Sequence, residues 1–297
     1  MSVGDQTQYD ASANASLKES KELPYSVLMS VYAKESPEYL VEALHSMLAQ
    51  TVPPEQIVLV EDGPLTHELD NAINVFHEQH AGLLDLVVLP KNEGLGSALA
   101  HGVPECRNEI IARMDSDDYS FSTRMEKELA VMSDHNLDMV GSQIVEFIRI
   151  QTSCCRICLP IDQQSIVSYS KKRNPFRHPS MVFRKSRVLE AGNYSADYLY
   201  FEDWDLFSRM LASGCKAANI NEPLVAMRVS PDFYARRGGP AYIPHVWKFK
   251  AEQLRRGYFT FFQFLGTTIP HVLVCLVPNS VRSFIYTHLL RKGTNND

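Results

Sequence analysis

The sequence has 297 residues, of which 45% are hydrophobic and 22% are charged, and its formal net charge is -6 at pH 7. This length allows one large hydrophobic core, or one catalytic domain with a small appendage. The negative net charge excludes a globally basic surface, so we expect no nucleic-acid partner. The six cysteines are irregularly spaced and no secretory signal is evident, which predicts a reducing, cytoplasmic location.

The first 22 residues are polar and lack apolar periodicity, which predicts a disordered leader. Strands and helices then alternate. Strands are predicted over 26–31, 56–60, 84–89 and 109–114, and helices start near Ser36, Thr66 and Gly94. This order predicts an α/β fold with a mostly parallel, Rossmann-like sheet and helices on both faces. Further helices are predicted over 123–134, 161–171 and 201–213, and further strands over 137–147, 180–183 and 216–229.

Acidic side chains follow three of the predicted parallel strands. In such sheets, ligands bind beyond the carboxyl ends of the strands. This rule selects residues 32–35, 61–63 and 115–118, and each of these segments contains a carboxylate. The sequence therefore predicts that the binding site lies where these three segments converge.

The third segment reads Asp-Ser-Asp-Asp at 115–118 and directly follows an apolar strand. Asp115 and Asp117 would face one divalent cation, Mg²⁺ or Mn²⁺, whose other ligands are phosphate oxygens. One alternative is a solvated acidic turn. A calcium-binding EF-hand loop is excluded because Tyr119 and Ser120 occupy positions that need an oxygen ligand and a glycine.

Two acidic residues, Glu202 and Asp203, begin a predicted helix. Acids at this position commonly stabilise the helix dipole. A carboxylate beside Tyr200, Phe201 and Trp204 would also serve as a general base, because apolar surroundings raise its pKa. The acidic segment upstream favours the general base.

Two glycine-containing segments point to phosphate groups. The arginine pair Arg236 and Arg237 precedes two glycines, which predicts either a loop that closes over phosphate oxygens or an exposed basic loop. Gly94 and Gly96 follow a strand, but Leu99 occupies the third glycine position of a dinucleotide-binding motif. A dinucleotide site is therefore only weakly indicated.

Residues 258–277 form an uncharged, mainly apolar stretch of about 20 residues, close to the length that spans a bilayer. Pro270 interrupts it and basic residues flank both ends, which favours two interfacial helices bent at Pro270 over one membrane span. The alternative is a helical pair packed on the protein's own core. We therefore divide the chain into a leader (1–22), a catalytic domain (23–240) and a helical tail (241–297) that would contact the membrane.

Several motifs occur together and in a fixed order. They are SVLMSVYAKE at 26–35, VLVEDGP at 58–64, NEGLGSALAHGV at 92–103, IARMDSDD at 111–118, RHPSMVFRKS at 177–186, FEDWDLFSRM at 201–210 and RVSPDFYARRGG at 228–239. Over 25–239 the chain thereby resembles the family 2 glycosyltransferases, which have a GT-A fold. It looks most like the bacterial members that build exopolysaccharide, capsule or O-antigen units.

The resemblance implies a role for each matching position. It places Tyr32, Ala33, Glu35 and Asp62 around the nucleotide base, Asn92, Gly94 and Arg113 on the nucleotide and sugar side, Asp115 at the ribose or donor sugar, and Arg236 and Arg237 over the diphosphate. It makes Asp117, with Asp115, the metal ligand, Asp203 the catalytic base, and Glu202 and His178 the acceptor contacts.

Two positions depart from the family's pattern. Many relatives have Asn where Ala33 stands, so one base contact would be missing here. Many also have a metal-binding His at 228–230, where this chain has none. The metal would then be held chiefly by Asp117 and the diphosphate.

The resemblance implies an inverting glycosyltransferase that moves a sugar from a nucleotide-sugar donor to a saccharide acceptor. We expect a lipid-linked acceptor, peripheral membrane contact and a place at the cytoplasmic face of the inner membrane. The alternatives are a metal-dependent sugar nucleotidyltransferase and a non-catalytic nucleotide-sugar-binding subunit. The first strand lacks the glycine-rich turn of a nucleotidyltransferase, and Asp115, Asp117 and Asp203 argue against a non-catalytic protein.

Overall fold

The structure is a computed structural model that describes residues 23–147, 153–230 and 238–278. The predicted leader, 1–22, and the end of the predicted tail, 279–297, lie outside the described residues. The division of the chain into leader, catalytic domain and tail stays a prediction.

Nine strands and nine helices are described within these ranges. The strands are β1 (Tyr25–Val31), β2 (Gln56–Glu61), β3 (Leu84–Val88), β4 (Ile110–Arg113), β5 (Tyr119–Ser120), β6 (Met139–Phe147), β7 (Ser153–Ile157), β8 (Val182–Arg184) and β9 (Ala217–Arg228). The helices are α1 (Pro37–Leu48), α2 (His67–Gln79), α3 (Leu95–Glu105), α4 (Arg124–Asp134), α5 (Gln163–Ser170), α6 (Lys185–Glu190), α7 (Glu202–Ala212), α8 (Ile243–Arg255) and α9 (Phe261–Leu276). The short elements β5, β7 and α6 were not predicted from the sequence.

The strands form one sheet in the order β3-β2-β1-β4-β8-β6-β9-β5, with β7 paired to β6. The first four strands of this order are parallel. Beyond them β8 is antiparallel to both β4 and β6, whereas β9 is parallel to β6. The predicted α/β fold is confirmed, but the sheet is parallel only in its first half and mixed in its second. Periodicity identifies a strand without giving its direction or its partner.

The sheet separates two hydrophobic clusters because alternate strand residues face opposite sides. In β1, Val27 and Met29 belong to one cluster and Leu28 to the other. The apolar faces of α1, α2 and α4 pack on the first cluster, and those of α3 and α7 on the second. Helix α3 lies so close to the sheet that a Cβ on Gly102 would be 2.5 Å from Leu28 Cδ1.

The helices α8 and α9 pack on the start of α7. The rings of Phe201 and Phe249 stack there with centroids 4.9 Å apart. Helix α9 continues through Pro270, so the prediction of two separate helices here is wrong. Phe264 and Cys275 are both buried on either side of the proline, and this packing keeps the helix continuous despite one lost backbone hydrogen bond. Among the described residues, no helix is long and apolar enough to cross a membrane.

A buried ion pair supports β4, the strand that leads into the acidic segment. Arg124 Nε donates to Glu128 Oε2 at 2.8 Å, and Arg124 Nη2 donates to the Arg113 carbonyl at 3.0 Å. We expect Arg124→Met to lower the free energy of unfolding by about 3–5 kcal/mol, because Glu128 would stay buried without its cation. Urea unfolding measures this loss. The double variant Arg124→Met/Glu128→Leu should recover most of it, and an equal loss in both variants would contradict the ion-pair explanation.

Candidate functional site

The carboxyl ends of β1, β2 and β4 meet at one edge of the sheet. The strands are parallel, with Val31 opposite Glu61 and Leu28 opposite Arg113. The segment after β4 contacts the segment after β1. Their convergence is confirmed by one hydrogen bond, in which Ser116 Oγ donates to an oxygen of the first segment's carboxylate, Glu35 Oε2, at 3.0 Å. Tyr32 and Ala33 are exposed beside this contact.

Three carboxylates form the charged centre of this edge. Side-chain oxygens of Asp115, Asp117 and Asp118 lie within 4.8 Å of one another. Burial, together with the charges of Asp115 and Glu35, raises the pKa of Asp117 to about 7. Burial also raises the pKa of Asp118 well above its usual value, and its Oδ2 has no hydrogen-bond partner among the described residues. The three carboxylates therefore repel one another, and one of their oxygens lacks a hydrogen-bond partner among the described residues.

This donor set fits a divalent cation. Mg²⁺ and Mn²⁺ prefer carboxylate oxygens. A cation here would offset the repulsion among the three carboxylates and give Asp118 Oδ2 a partner. The sequence prediction included only Asp115 and Asp117. The burial of Asp118 depends on the return of β9 beside the acidic segment, which no local pattern reveals.

Arg228, at the end of β9, fixes the backbone of the acidic segment. Its N–H donates to Asp118 Oδ1 at 2.7 Å, and its Nε donates to the Asp117 carbonyl at 2.8 Å. Its guanidinium pairs with the Glu42 carboxylate and lies 3.7 Å from the centroid of the Tyr39 ring. At the position where the family resemblance led us to expect a histidine, this chain thus has an arginine that holds the turn of the acidic segment.

Two buried polar residues, Arg113 and His178, lie behind Asp115. Arg113 is 1% exposed and pairs with Asp115. His178 is also buried, and its Nε2 lies 2.8 Å from the Tyr194 hydroxyl. Burial and the nearby Arg113 charge lower the pKa of His178 well below its usual value, so the ring is neutral. His178 therefore supports the site from behind, and its predicted contact with the acceptor stays a prediction.

Asp62 organises the loop that precedes α3. Its two carboxylate oxygens accept the backbone N–H groups of Glu93 at 2.7 Å and Gly94 at 3.0 Å, and its carbonyl accepts from Asn92 Nδ2 at 3.2 Å. Gly63 allows this approach, because a Cβ there would be 2.4 Å from the Asn92 nitrogen. The carboxylate of Asp62 is thus engaged in holding the loop, and its contact with the base stays a prediction.

Glu202 and Asp203 occupy the first turn of α7 and are partly exposed. Asn174 Nδ2 donates to Asp203 Oδ2 at 2.7 Å, and Asp203 Oδ1 accepts the N–H of Trp204 at 2.6 Å. These bonds fix the carboxylate in one orientation. Asn174 was missed by the sequence analysis because it lies in an irregular segment without periodicity.

The start of α7 lies beside both the α3 loop and the acidic segment. A Cβ on Gly96, in the first turn of α3, would be 3.1 Å from the Cβ of Glu202, in the first turn of α7. Burial raises the pKa of Tyr194, and the charges of Asp203 and Asp115 raise it further, so both carboxylates act on this one hydroxyl. The structure therefore gathers the predicted base, the acidic segment and the glycine loop around one region.

Two predicted phosphate contacts, Arg236 and Arg237, lie outside the described residues. Their closure over the diphosphate stays a prediction. The described chain resumes at Gly238, and the Gly239 N–H donates to the Cys275 carbonyl at 3.0 Å. The predicted phosphate loop therefore ends beside α9.

Comparisons with known proteins agree on one family. The model of the family described as Glycosyl transferase family 2 matches residues 26–191. The UDP-Gal:alpha-D-GlcNAc-diphosphoundecaprenol beta-1,3-galactosyltransferase of Escherichia coli is 35% identical over 269 residues, which cover 90% of this chain and 97% of that protein. The amylovoran biosynthesis glycosyltransferase AmsE of Erwinia amylovora is 34% identical, with 88% and 97% covered.

Solved structures share the fold at low sequence identity. Residues 1–349 of Staphylococcus aureus TarS, in complex with UDP-GlcNAc, superpose with a TM-score of 0.64 at 14% identity, covering 90% of this chain and 76% of that one. The mannosyltransferase PcManGT of Pyrobaculum calidifontis, in complex with GDP-Man and Mn²⁺, gives a TM-score of 0.62 at 16% identity, with 90% and 81% covered. At this level of identity, these similarities show a shared fold and nothing more.

Proposed function

The chain belongs to glycosyl transferase family 2 and is a glycosyltransferase, and from that premise we propose that it transfers galactose from UDP-galactose to a sugar on a polyprenyl diphosphate. The donor and acceptor are supported by similarity over 97% of an E. coli enzyme whose name states UDP-Gal and a diphosphoundecaprenol-linked sugar. The observation that carries the reaction is the oriented carboxylate of Asp203 near the acidic cluster. The products would enter cell-surface polysaccharide.

Asp203 is the general base of the proposed reaction. Its carboxylate accepts the proton of the acceptor hydroxyl while that oxygen bonds to the anomeric carbon. The bond from the anomeric carbon to the UDP oxygen breaks on the opposite face, so the configuration inverts. Asn174 holds the carboxylate in place, and Glu202, the neighbouring acid, contacts the acceptor sugar.

The donor occupies the edge formed by the three strand ends. A divalent cation held by Asp115, Asp117 and Asp118 would supply positive charge for the leaving diphosphate. Arg113 neutralises the buried side of Asp115. Asp62 acts on the donor through the loop that it holds. The residues on the base and ribose side are Tyr32, Ala33, Glu35, Asp62, Asn92 and Gly94.

A panel of donors tests this proposal. The purified chain is incubated with UDP-galactose, UDP-glucose, UDP-GlcNAc and GDP-mannose, each with Mn²⁺, with Mg²⁺ or with EDTA. We expect UDP release from UDP-galactose with a divalent cation and none with EDTA. Turnover of another donor in preference to UDP-galactose would overturn the donor assignment. Diphosphate release from UTP and a sugar phosphate would instead support the nucleotidyltransferase alternative.

We further propose that the face of α9 away from α8 rests on the cytoplasmic leaflet of the inner membrane. Its exposed side chains are apolar and follow a helical spacing: Phe262, Ile269, Leu273 and Leu276. The exposed Trp247 ring on α8 lies 5.4 Å from the Phe264 ring, at the edge of this face. Lys248 and Arg255 are exposed on α8, where they pair with Asp197 and Glu252 respectively, so the apolar side chains carry the proposed membrane contact.

Vesicle binding tests the membrane contact. We expect the double variant Phe262→Ser/Leu273→Ser to bind phosphatidylethanolamine–phosphatidylglycerol vesicles at least about tenfold more weakly, since burial of one such side chain is worth about 1.5–3 kcal/mol. Co-sedimentation measures the bound fraction. Leu189→Ser, an exposed leucine on α6, serves as the matched control. Unchanged binding by the double variant would contradict the proposed orientation.

A further inference from the structure

An open pocket of about 400 Å³ lies outside the site described above. It is bordered by the end of α5, the second half of α7 and the connection between α8 and α9. Its lining includes Lys171, Ser208, Arg209, Gln253, Arg256 and Tyr258. None of these residues takes part in the proposed transfer step.

Three cations and two carboxylates set the charge of the pocket. Arg209 and Arg256 both pair with Asp205, at 2.9 and 2.7 Å, and Arg256 also pairs with Glu252 at 2.7 Å. The third cation, Lys171, has no acidic partner among the described residues. Its Nζ donates to the Tyr258 carbonyl at 2.6 Å and lies over the Tyr258 ring. The group therefore keeps one net positive charge.

Hydrogen-bond donors remain available in this pocket. Each guanidinium has five N–H groups. Within the described residues, Arg256 uses three of them, one on each nitrogen, toward Glu252, Asp205 and Tyr198. The available donors are therefore on the guanidinium groups and on Lys171, at the rim of the pocket.

The pocket is joined to both the catalytic helix and the apolar face of α9. Ser208 follows Asp203 by five residues on α7, about 7 Å along the helix axis. Tyr258 precedes the exposed Phe261 by three residues, no more than about 10 Å of chain. The pocket is thus lined by the same helix that begins with Asp203, and it adjoins the residues that lead into α9.

We propose that this pocket binds the diphosphate of the lipid-linked acceptor, with Lys171 and Arg256 contacting its oxygens and α9 contacting the first isoprene units. The inference rests on the proposed function for the identity of the acceptor. It assigns the pocket a positioning role, because the diphosphate held there sets the reach of the acceptor sugar toward Asp203. A diphosphate suits a site with several N–H donors and a net positive charge.

Binding of inorganic diphosphate in the presence of EDTA tests the pocket without donor or transfer. Without a metal, the acidic cluster repels this anion. Isothermal titration should show that Lys171→Gln weakens binding about tenfold, whereas Lys171→Arg retains it. Lys127→Gln, which removes an exposed lysine paired with Glu222, is the matched charge control and should bind as the parent does. Equal affinity in Lys171→Gln and the parent, or no binding by the parent, would overturn the site.

A second arm distinguishes a lipid headgroup from a free anion. Farnesyl diphosphate should bind at least about tenfold more tightly than inorganic diphosphate, because its chain covers apolar surface of α9. Phe261→Ser should remove that gain and leave the affinity for inorganic diphosphate unchanged. Equal affinity of the parent for both compounds would overturn the lipid assignment. Since neither measurement needs UDP-galactose, a failure of the donor proposal is observed separately, as absent turnover.

Discussion

Asp203→Asn lowers the rate of sugar transfer by about 10²–10⁴-fold, the usual contribution of a general base. The amide keeps the size of the carboxylate and still accepts the Trp204 N–H through its oxygen. It no longer accepts a proton from the acceptor hydroxyl. The affinity for UDP-galactose should therefore stay within about twofold of the parent value, because the proposed donor site lies at the strand ends rather than at α7.

Two measurements separate this role from a structural one. Steady-state transfer gives kcat, and titration with UDP-galactose and Mn²⁺ gives the donor affinity. Asp197→Asn is the matched control, since Asp197 is an exposed aspartate shortly before α7 whose carboxylate pairs with Lys248. It should transfer sugar at the parent rate. Parent-like kcat in Asp203→Asn would show that another group takes the proton.

Asn174 is the second residue that determines how the Asp203 carboxylate is presented. Its amide is the donor that orients Asp203 Oδ2, and it belongs to neither a helix nor a strand. The sequence located Asp203 because acids at a helix start leave a pattern. It could not locate Asn174, because the contact joins residues 29 positions apart through the packing of α7.

At the strand ends too, the sequence predicted some of the site residues and missed others. Apolar runs predicted β1, β2 and β4, and the rule for parallel sheets then placed Glu35 and Asp115 at one edge. The contacts that set the chemistry of this edge come from further away. Arg228 reaches the acidic segment from a strand 110 positions later, because β9 pairs with β5 and β6. That pairing belongs to the mixed half of the sheet, which periodicity does not determine.

The structure shows a structural contact for two further residues identified from the sequence. Asp62 and His178 are expected to face the base and the acceptor, and those two contacts stay predictions. In the structure Asp62 holds the α3 loop through two N–H groups, and His178 is a neutral partner of Tyr194. A motif gives the identity of a residue and its place along the chain, whereas the direction of its hydrogen bonds depends on the packed neighbours.

Asp117→Asn should change the stability of the metal-free fold and the affinity for a metal in opposite directions. The pKa of Asp117 is raised to about 7, so between its ordinary pKa and neutrality the folded chain binds more protons than the unfolded chain. The parent without metal therefore loses stability as the pH rises through this range. Asparagine removes the repelling charge, and we expect the metal-free variant to unfold at a temperature equal to or higher than the parent at pH 8.

The metal response changes in the other direction. We expect Mn²⁺ to raise the unfolding temperature of the parent by binding the folded state. It should bind Asp117→Asn at least about tenfold more weakly, because a charged ligand is lost. Thermal unfolding with and without Mn²⁺ gives both results, and Asp70→Asn, an exposed aspartate on α2, is the control. A variant that is unstable without metal would show that Asp117 holds the turn rather than the cation. A variant that keeps the full Mn²⁺ response would move the metal to other ligands. Only a stable variant with a weakened Mn²⁺ response fits a turn that Arg228 already holds and in which Asp117 serves as a metal ligand.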